Sequence, residues 1–307
     1  MRVVFFGTPE FAVPSLRALL GEGFDVSAVV TRPDRPQGRS RSTTVPPPVK
    51  TVAVAEGIPV LQPERPTGEE FLRTLKSYAP DVGVVVAYGH LLRPELLALP
   101  ARGLVNVHPS LLPALRGAAP VEWAILHGLE TTGVTILQLD EGLDSGPVLL
   151  QLAEPIAPDE TGGELSARLA ELGAQALVEA LALWEQGAVT PRPQDAAQAT
   201  YAPKLTRELA RLHWTEAPDV VARAIRGLDP KPGAWTELDG KEVKLFGARV
   251  RPGRGGPGEV LMANGQLLIA AGSDAVEVDE VQPAGGSRMP TADWVRGRGV
   301  RVGQRFT

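Results

Sequence analysis

The sequence predicts an α/β fold: a doubly wound, mostly parallel sheet of Rossmann type, followed by a small C-terminal β-barrel of OB-like character. Three observations predict it. Short apolar runs with strand character alternate with helical patterns as far as Gln186. A stretch of small polar residues, broken by Pro191, Pro193 and Pro203, then interrupts the periodicity. Beyond it, short strand signals recur at close spacing between glycine and proline turns, the pattern of a small antiparallel barrel. The expected organisation is a first domain over residues 1–189, a linker over 190–206 and a second domain over 207–307.

The elements follow in order. Val3–Phe6 is an apolar run that stops at Gly7-Thr8-Pro9. A helical pattern runs from Glu10 to Leu20 and ends at Gly21 and Gly23, and Val26–Val30 is the next strand. Val82–Ala87 and Gly103–Val107 read as strands buried on both faces, because they are apolar throughout and rich in β-branched residues. Val121–His127 is helical, and Val134–Leu139 and Gly146–Leu152 are further strands. Glu164–Gln186 repeats leucine and alanine at helical spacing from Leu165 to Leu183, a long amphipathic helix. Strands separated by helices imply a parallel sheet with its sites at the strand C-termini. In the second domain a helix over Ala217–Gly227 precedes strands near Ala234–Leu238, Val243–Val250, Gly258–Ala263, Gln266–Ala270, Ala275–Gln282 and Val302–Phe306.

Composition excludes several chemistries. The absence of cysteine removes disulfides, thiolate nucleophiles and cysteine-ligated zinc. The four histidines lack metal-ligand spacing, so no metal is expected. The first βα turn, Phe6-Gly7-Thr8-Pro9-Glu10-Phe11, lacks the glycine spacing of a dinucleotide fingerprint, and no phosphate-cradling lysine loop occurs. No run approaches the length of a membrane span and the N-terminus does not read as a secretory signal, so a cytoplasmic protein without membrane partners is expected. Net charge is −5, but it is unevenly divided. Residues 1–203 carry 15 Lys/Arg and 23 Asp/Glu, whereas residues 204–307 carry 16 and 13. A basic second domain on an acidic first one points to a polyanionic partner.

The residues with most chemical content are Asn106 and His108, at the end of an apolar strand, and Asp144, in a later glycine-rich loop. Residues i and i+2 of a strand face the same side, so Asn106 and His108 can share one pocket. An amide donor, a titratable base and a carboxylate are the parts required for acyl transfer through a tetrahedral intermediate. A single histidine after a strand is usually just a hydrogen-bonded turn residue. Three polar groups on the site-bearing face of an open sheet favour function instead.

The surrounding motifs are specific. Asn106-Val-His108-Pro-Ser110-Leu111-Leu112-Pro113, Arg116-Gly117-Ala118-Ala119-Pro120-Val121, Gly133-Val134-Thr135-Ile136 and Leu143-Asp144-Ser145-Gly146 together resemble the folate-dependent formyltransferases. Gly7-Thr8-Pro9-Glu10-Phe11-Ala12, Val85-Val86-Ala87-Tyr88-Gly89, Arg32-Pro33-Asp34-Arg35-Pro36-Gln37-Gly38-Arg39 and Gln282-Pro283-Ala284-Gly285-Gly286 place the likeness with the methionyl-tRNA formyltransferases, over nearly the whole chain. Proline after His108 stands where glycine or alanine is also usual in that family. The resemblance implies a catalytic trio of Asn106, His108 and Asp144. It implies a folate-binding loop at Ser110, Leu111, Leu112 and Pro113, with 10-formyltetrahydrofolate as formyl donor. It further implies initiator methionyl-tRNA as acceptor, a second domain that binds tRNA, and a monomer. In chemical terms Asn106 would donate to the oxyanion, His108 would share that task or move a proton, and Asp144 would orient His108 or take the amine proton through water. Leu111 and Leu112 would offer apolar contact to a pterin ring, and main-chain groups of the loop could match its donors and acceptors.

Thr31–Lys50 reads as a long loop carrying Arg32, Arg35, Arg39, Arg41 and Lys50. Such loops in compact domains are usually functional or disordered. In the resembling family it reaches the tRNA acceptor stem, which assigns Arg35, Arg39 and Arg41 to tRNA, with Arg39 foremost. Arg249, Arg251 and Arg254, with Arg296, Arg298, Arg301 and Arg305, are candidates for an electrostatic track along the tRNA backbone. Trp214, Trp235 and Trp294 are expected as core anchors. One competing reading is the same catalytic domain acting on a small amine, which needs neither the basic loop nor a basic second domain, and another is a tRNA- or RNA-binding protein whose trio is inert.

Overall fold

The structure, a computed structural model, describes residues 1–37 and 43–307. It separates into two compact units. The first comprises Met1–Gly117, Thr132–Glu154 and Ser166–Tyr201, and the second Ala118–Thr131, Pro155–Leu165 and Ala202–Thr307. Among the described residues no helix is long and apolar enough to cross a membrane.

The first unit is built on a seven-stranded sheet. Its order is Val148–Pro155, Thr131–Gln138, Leu104–His108, Val82–Val86, Arg2–Gly7, Asp25–Val30 and Val60–Leu61. The strands from Val60–Leu61 to Leu104–His108 pair in parallel. Val82–Val86 is buried at every residue, as a two-faced parallel strand must be. The chain turns from one side of Arg2–Gly7 to the other between Asp25–Val30 and Val82–Val86, a switch of the kind that opens a crevice at the strand C-termini. Thr131–Gln138 departs from the parallel pattern. It runs antiparallel to Leu104–His108 and sets Thr135 opposite His108 and Leu137 opposite Asn106.

The long helix Gly162–Glu185 begins at a capping box. The Glu164 amide donates to Thr161 Oγ1 (3.3 Å), and the Thr161 amide donates back to Glu164 Oε2 (2.9 Å). Leu165, Leu169, Leu177 and Ala180 on its apolar stripe are fully buried.

Thr31–Lys50 is not a structureless loop. Arg35–Gln37 pairs antiparallel with Thr43–Val45, and Lys50 lies in the helix Pro48–Ala55 with its ammonium 2.8 Å from Asp34. Within residues 190–206, the expected linker, Arg192 bridges Val148, and the Thr200 carbonyl accepts from the Arg116 amide (2.9 Å).

The second unit carries antiparallel strands in the order Ala234–Leu238, Lys241–Arg251, Asp274–Pro283, Leu267–Ala271 and Val260–Ala263. The C-terminal residues close this sheet into a barrel. Phe306 bridges Leu238 on one edge, and Arg305 bridges Glu259 at the other. Val302–Phe306 is therefore two bridging residues rather than a strand, because Gly303 takes a left-handed φ of +84° that an extended strand cannot hold. Trp214 and Trp294 pack on Phe306 inside the barrel, with ring centroids 5.8 and 6.4 Å away, whereas Trp235 is buried beneath the guanidinium groups of Arg207 and Arg211. The helix Thr291–Arg296, six residues long, was too short to leave a periodic signal.

Gly133 lies where two strands of the first sheet approach closely. A Cβ there would fall inside the van der Waals shell of the Leu152 carbonyl oxygen and 2.7 Å from the Leu111 side chain. Gly133→Ala is expected to destabilise the protein by about 1–3 kcal/mol, the usual cost of overpacking. Chemical denaturation measures it, and an unchanged midpoint would contradict the packing described.

Candidate active site

The strand Leu104–His108 carries both Asn106 and His108, so their side chains leave on the same face at the sheet's C-terminal edge. Nothing among the described residues hydrogen-bonds the half-buried Asn106 carboxamide, which leaves a donor free beside the imidazole. His108 is buried at 3% exposure, and Nε2 lies 3.0 Å from the Leu115 carbonyl oxygen. A carbonyl can only accept, so the neutral ring carries its proton on Nε2 and keeps a bare lone pair on Nδ1. Nδ1 faces Asp144 Oδ2 at 3.7 Å, too far for a hydrogen bond, as expected of two acceptors. Burial pushes the His108 pKa below its ordinary value. The Asp144 charge and the Leu115 contact oppose that shift without cancelling it. The resting ring is thus a neutral base aimed at a carboxylate that would stabilise it once protonated.

Asp144 has backbone φ +48°, a left-handed conformation that aspartate tolerates better than most residues. Its Oδ2 accepts from the Gly117 amide at 2.9 Å. The loop before it is closed by Asp140, whose carboxylate accepts from the Gly142 amide (3.0 Å) and the Ser145 hydroxyl (2.9 Å).

The segment after His108 is held from within. Ser110 Oγ donates to the Ala114 carbonyl (2.6 Å). Thr135, opposite His108, donates through Oγ1 to the Ser110 carbonyl (2.6 Å) and accepts from the Leu112 amide (3.1 Å). Gln151 donates to the Leu112 carbonyl (2.8 Å). The main-chain groups of Ser110 and Leu112 are thus engaged within the protein. Leu112 and Ser110 are buried, and Leu111 and Pro113 keep accessible surface.

Residues 1–181 match the formyl transferase family, and residues 204–299 match the formyl transferase C-terminal domain. A methionyl-tRNA formyltransferase of Geobacter sulfurreducens is 43% identical over 307 residues, covering 100% of this chain and 96% of its own. One of Acidobacterium capsulatum is 48% identical over 301 residues, covering 97% and 96%. The chain belongs to the methionyl-tRNA formyltransferase family. Among solved structures, HypX from Aquifex aeolicus in complex with tetrahydrofolic acid is similar at 25% identity and TM-score 0.67, covering 95% of this chain and 46% of its own.

The structure thus brings His108 and Asp144 together, with Asn106 beside His108 on one strand face. Arg35 is exposed on the Arg35–Gln37 strand, whereas Arg39 and Arg41 lie outside the described residues. Three arginines of the expected track are ion-paired within the protein. Arg249 is bound to Asp159 and Asp279, Arg251 to Glu277, and Arg296 to Asp293. Among the described residues no group of three His, Asp or Glu side chains could hold a metal. Thr135, Gln151, the Leu115 carbonyl and the Gly117 amide were not singled out from sequence. Only Thr135 left a signal, as a polar residue inside the apolar run Val134–Leu137.

The depressed pKa of His108 makes stability depend on pH. The folded state binds this proton less readily than the unfolded state. The imidazole's contribution is therefore complete above the ordinary value of 6.5 and declines as pH falls from there toward the lower folded value. His108→Gln is expected to flatten the fall in unfolding free energy between neutral and mildly acidic pH. An identical slope in wild type and variant would place the proton elsewhere.

Proposed function

We propose that the protein transfers a formyl group from 10-formyltetrahydrofolate to the α-amino group of the methionyl moiety of initiator methionyl-tRNA. The observation that carries this reading is a neutral, buried His108 with its lone pair directed at Asp144, next to an Asn106 carboxamide that has no hydrogen-bond partner among the described residues. The names of the relatives supply the acceptor, and the folate-bound neighbour supports the donor class.

The neutral methionine amine attacks the formyl carbon, forming the new C–N bond as the carbonyl electrons move onto oxygen. The Asn106 N–H donates to that oxyanion, an interaction typically worth about 2.7–4 kcal/mol. The attacking nitrogen becomes cationic and releases a proton to His108 Nδ1, and Asp144 stabilises the resulting imidazolium. His108 then returns the proton to N10 of the folate as the old C–N10 bond breaks and the carbonyl re-forms. Leu111 and Pro113 present the apolar surface on which the pterin side of the donor would rest, and Ser110 and Leu112 hold that surface in place. The exposed Arg35, with Arg39 and Arg41, would meet the acceptor-stem phosphates, and the second unit would extend the contact along the tRNA.

The test is formyl transfer to charged initiator tRNA measured beside transfer to small amines. Transfer to the tRNA is expected, and Asn106→Ala should lower kcat by about 10²–10³-fold, the usual loss of one oxyanion donor. Activity on small amines alone would overturn the acceptor assignment. An Asn106→Ala enzyme as fast as wild type would remove Asn106 from the chemistry.

A further inference from the structure

We infer that Gln194 and Arg116 are positioning residues that clamp Asp144 against His108, an inference that rests on the proposed role of Asp144 in formyl transfer. Even for an aspartate a φ of +48° is disfavoured, and contacts with the surroundings hold it. Two grips fix this one. The Gly117 amide holds the carboxylate at 2.9 Å. The Gln194 carboxamide holds the backbone, with Nε2 donating to the carbonyls of Asp144 (2.8 Å) and Gly146 (2.7 Å). Oε1 of the same side chain accepts from Nε (3.2 Å) and Nη2 (2.7 Å) of Arg116.

A primary amide has two N–H donors and two good acceptor positions, and Gln194 uses all four. Its orientation follows from its partners. A guanidinium only donates and carbonyls only accept, so the flipped amide would oppose both. Arg116 is buried at 6% exposure, and across from it stands this neutral amide. Glutamate at 194 would answer the Arg116 charge but would aim a carboxylate oxygen at two carbonyl oxygens. Arg116 and Gly117 are consecutive, so one dipeptide holds both the side chain and, through Gln194, the backbone of Asp144.

The same segment reaches the other partner of His108. Thr200 Oγ1 accepts from the Leu115 amide (2.9 Å), and Leu115 presents the carbonyl that faces Nε2. Residues 194–200, which read as linker in the sequence, therefore brace both sides of the imidazole. The charged group acting on His108 is Asp144, while Thr135 across the sheet brings no titratable group.

Full-length Gln194→Ala and Gln194→Glu test the clamp. The measurements are kcat, KM for each substrate, and the NMR titration of the His108 ring without substrates. Misplacement by about 1 Å can cost roughly 10²-fold in rate, so kcat is expected to fall by about ten- to a hundredfold with little change in KM. As Asp144 recedes, His108 should titrate at lower pH than in wild type. Gln194→Glu should not rescue either readout, although it keeps the length and can pair with Arg116. It supplies the same measurements should the alanine variant fail to fold. Wild-type kcat and an unshifted His108 titration would overturn the clamp, as would a lower kcat with an unshifted titration. Absence of formyl transfer in the wild type would refute the proposed reaction alone, because the His108 titration reads the clamp without turnover.

Discussion

A buried neutral imidazole has one proton to place, and the 3.0 Å contact between His108 Nε2 and the Leu115 carbonyl places it. Everything else at the site depends on that placement. With Nε2 committed, Nδ1 is left as a base, and the carboxylate opposite it becomes useful only after the base has accepted a proton. Burial keeps the ring neutral at rest, and Asp144 moderates the shift. The opposite tautomer would turn an N–H toward Asp144 at rest and would have no lone pair to offer on that side.

The fold serves this constraint through a few backbone groups. The strand period puts Asn106 and His108 on one face. The antiparallel Thr131–Gln138 strand brings Thr135 opposite His108, where its hydroxyl ties the segment leaving the strand. Leu115 turns its carbonyl inward from a left-handed φ of +59°, and Asp144 approaches from another left-handed position. Two strained backbones thus face one ring. Each carries an unfavourable dihedral of about 1–3 kcal/mol, which a hydrogen bond to a neighbour partly offsets.

Much of this was legible in the sequence. Parallel strands announce themselves as short apolar runs, and the two-residue spacing of Asn106 and His108 needs only the strand period to be read. Asp144 stood out through its glycine-rich surroundings. The partners that give these residues their chemistry were not legible. The Leu115 carbonyl and the Gly117 amide are main-chain groups, which every residue possesses, and even a motif that includes Gly117 does not show what its amide holds. Gln194 reaches Asp144 across 50 residues from a proline-rich stretch whose composition signals a tether. In the second unit the strands were readable from turn spacing. Closure of the barrel by Arg305 and Phe306 was overstated as a strand, because Gly303 breaks the extended run.

The protonation of the two ring nitrogens of His108 is the most direct observable. Nitrogen-15 NMR of the resting protein at neutral pH distinguishes a nitrogen that bears hydrogen from one that does not. A proton on Nε2 and a bare Nδ1 are expected, with Asp144→Asn altering the Nδ1 signal and leaving the Nε2 proton in place. A ring protonated on Nδ1, or on both nitrogens, would contradict the assignment of His108 as the base facing Asp144.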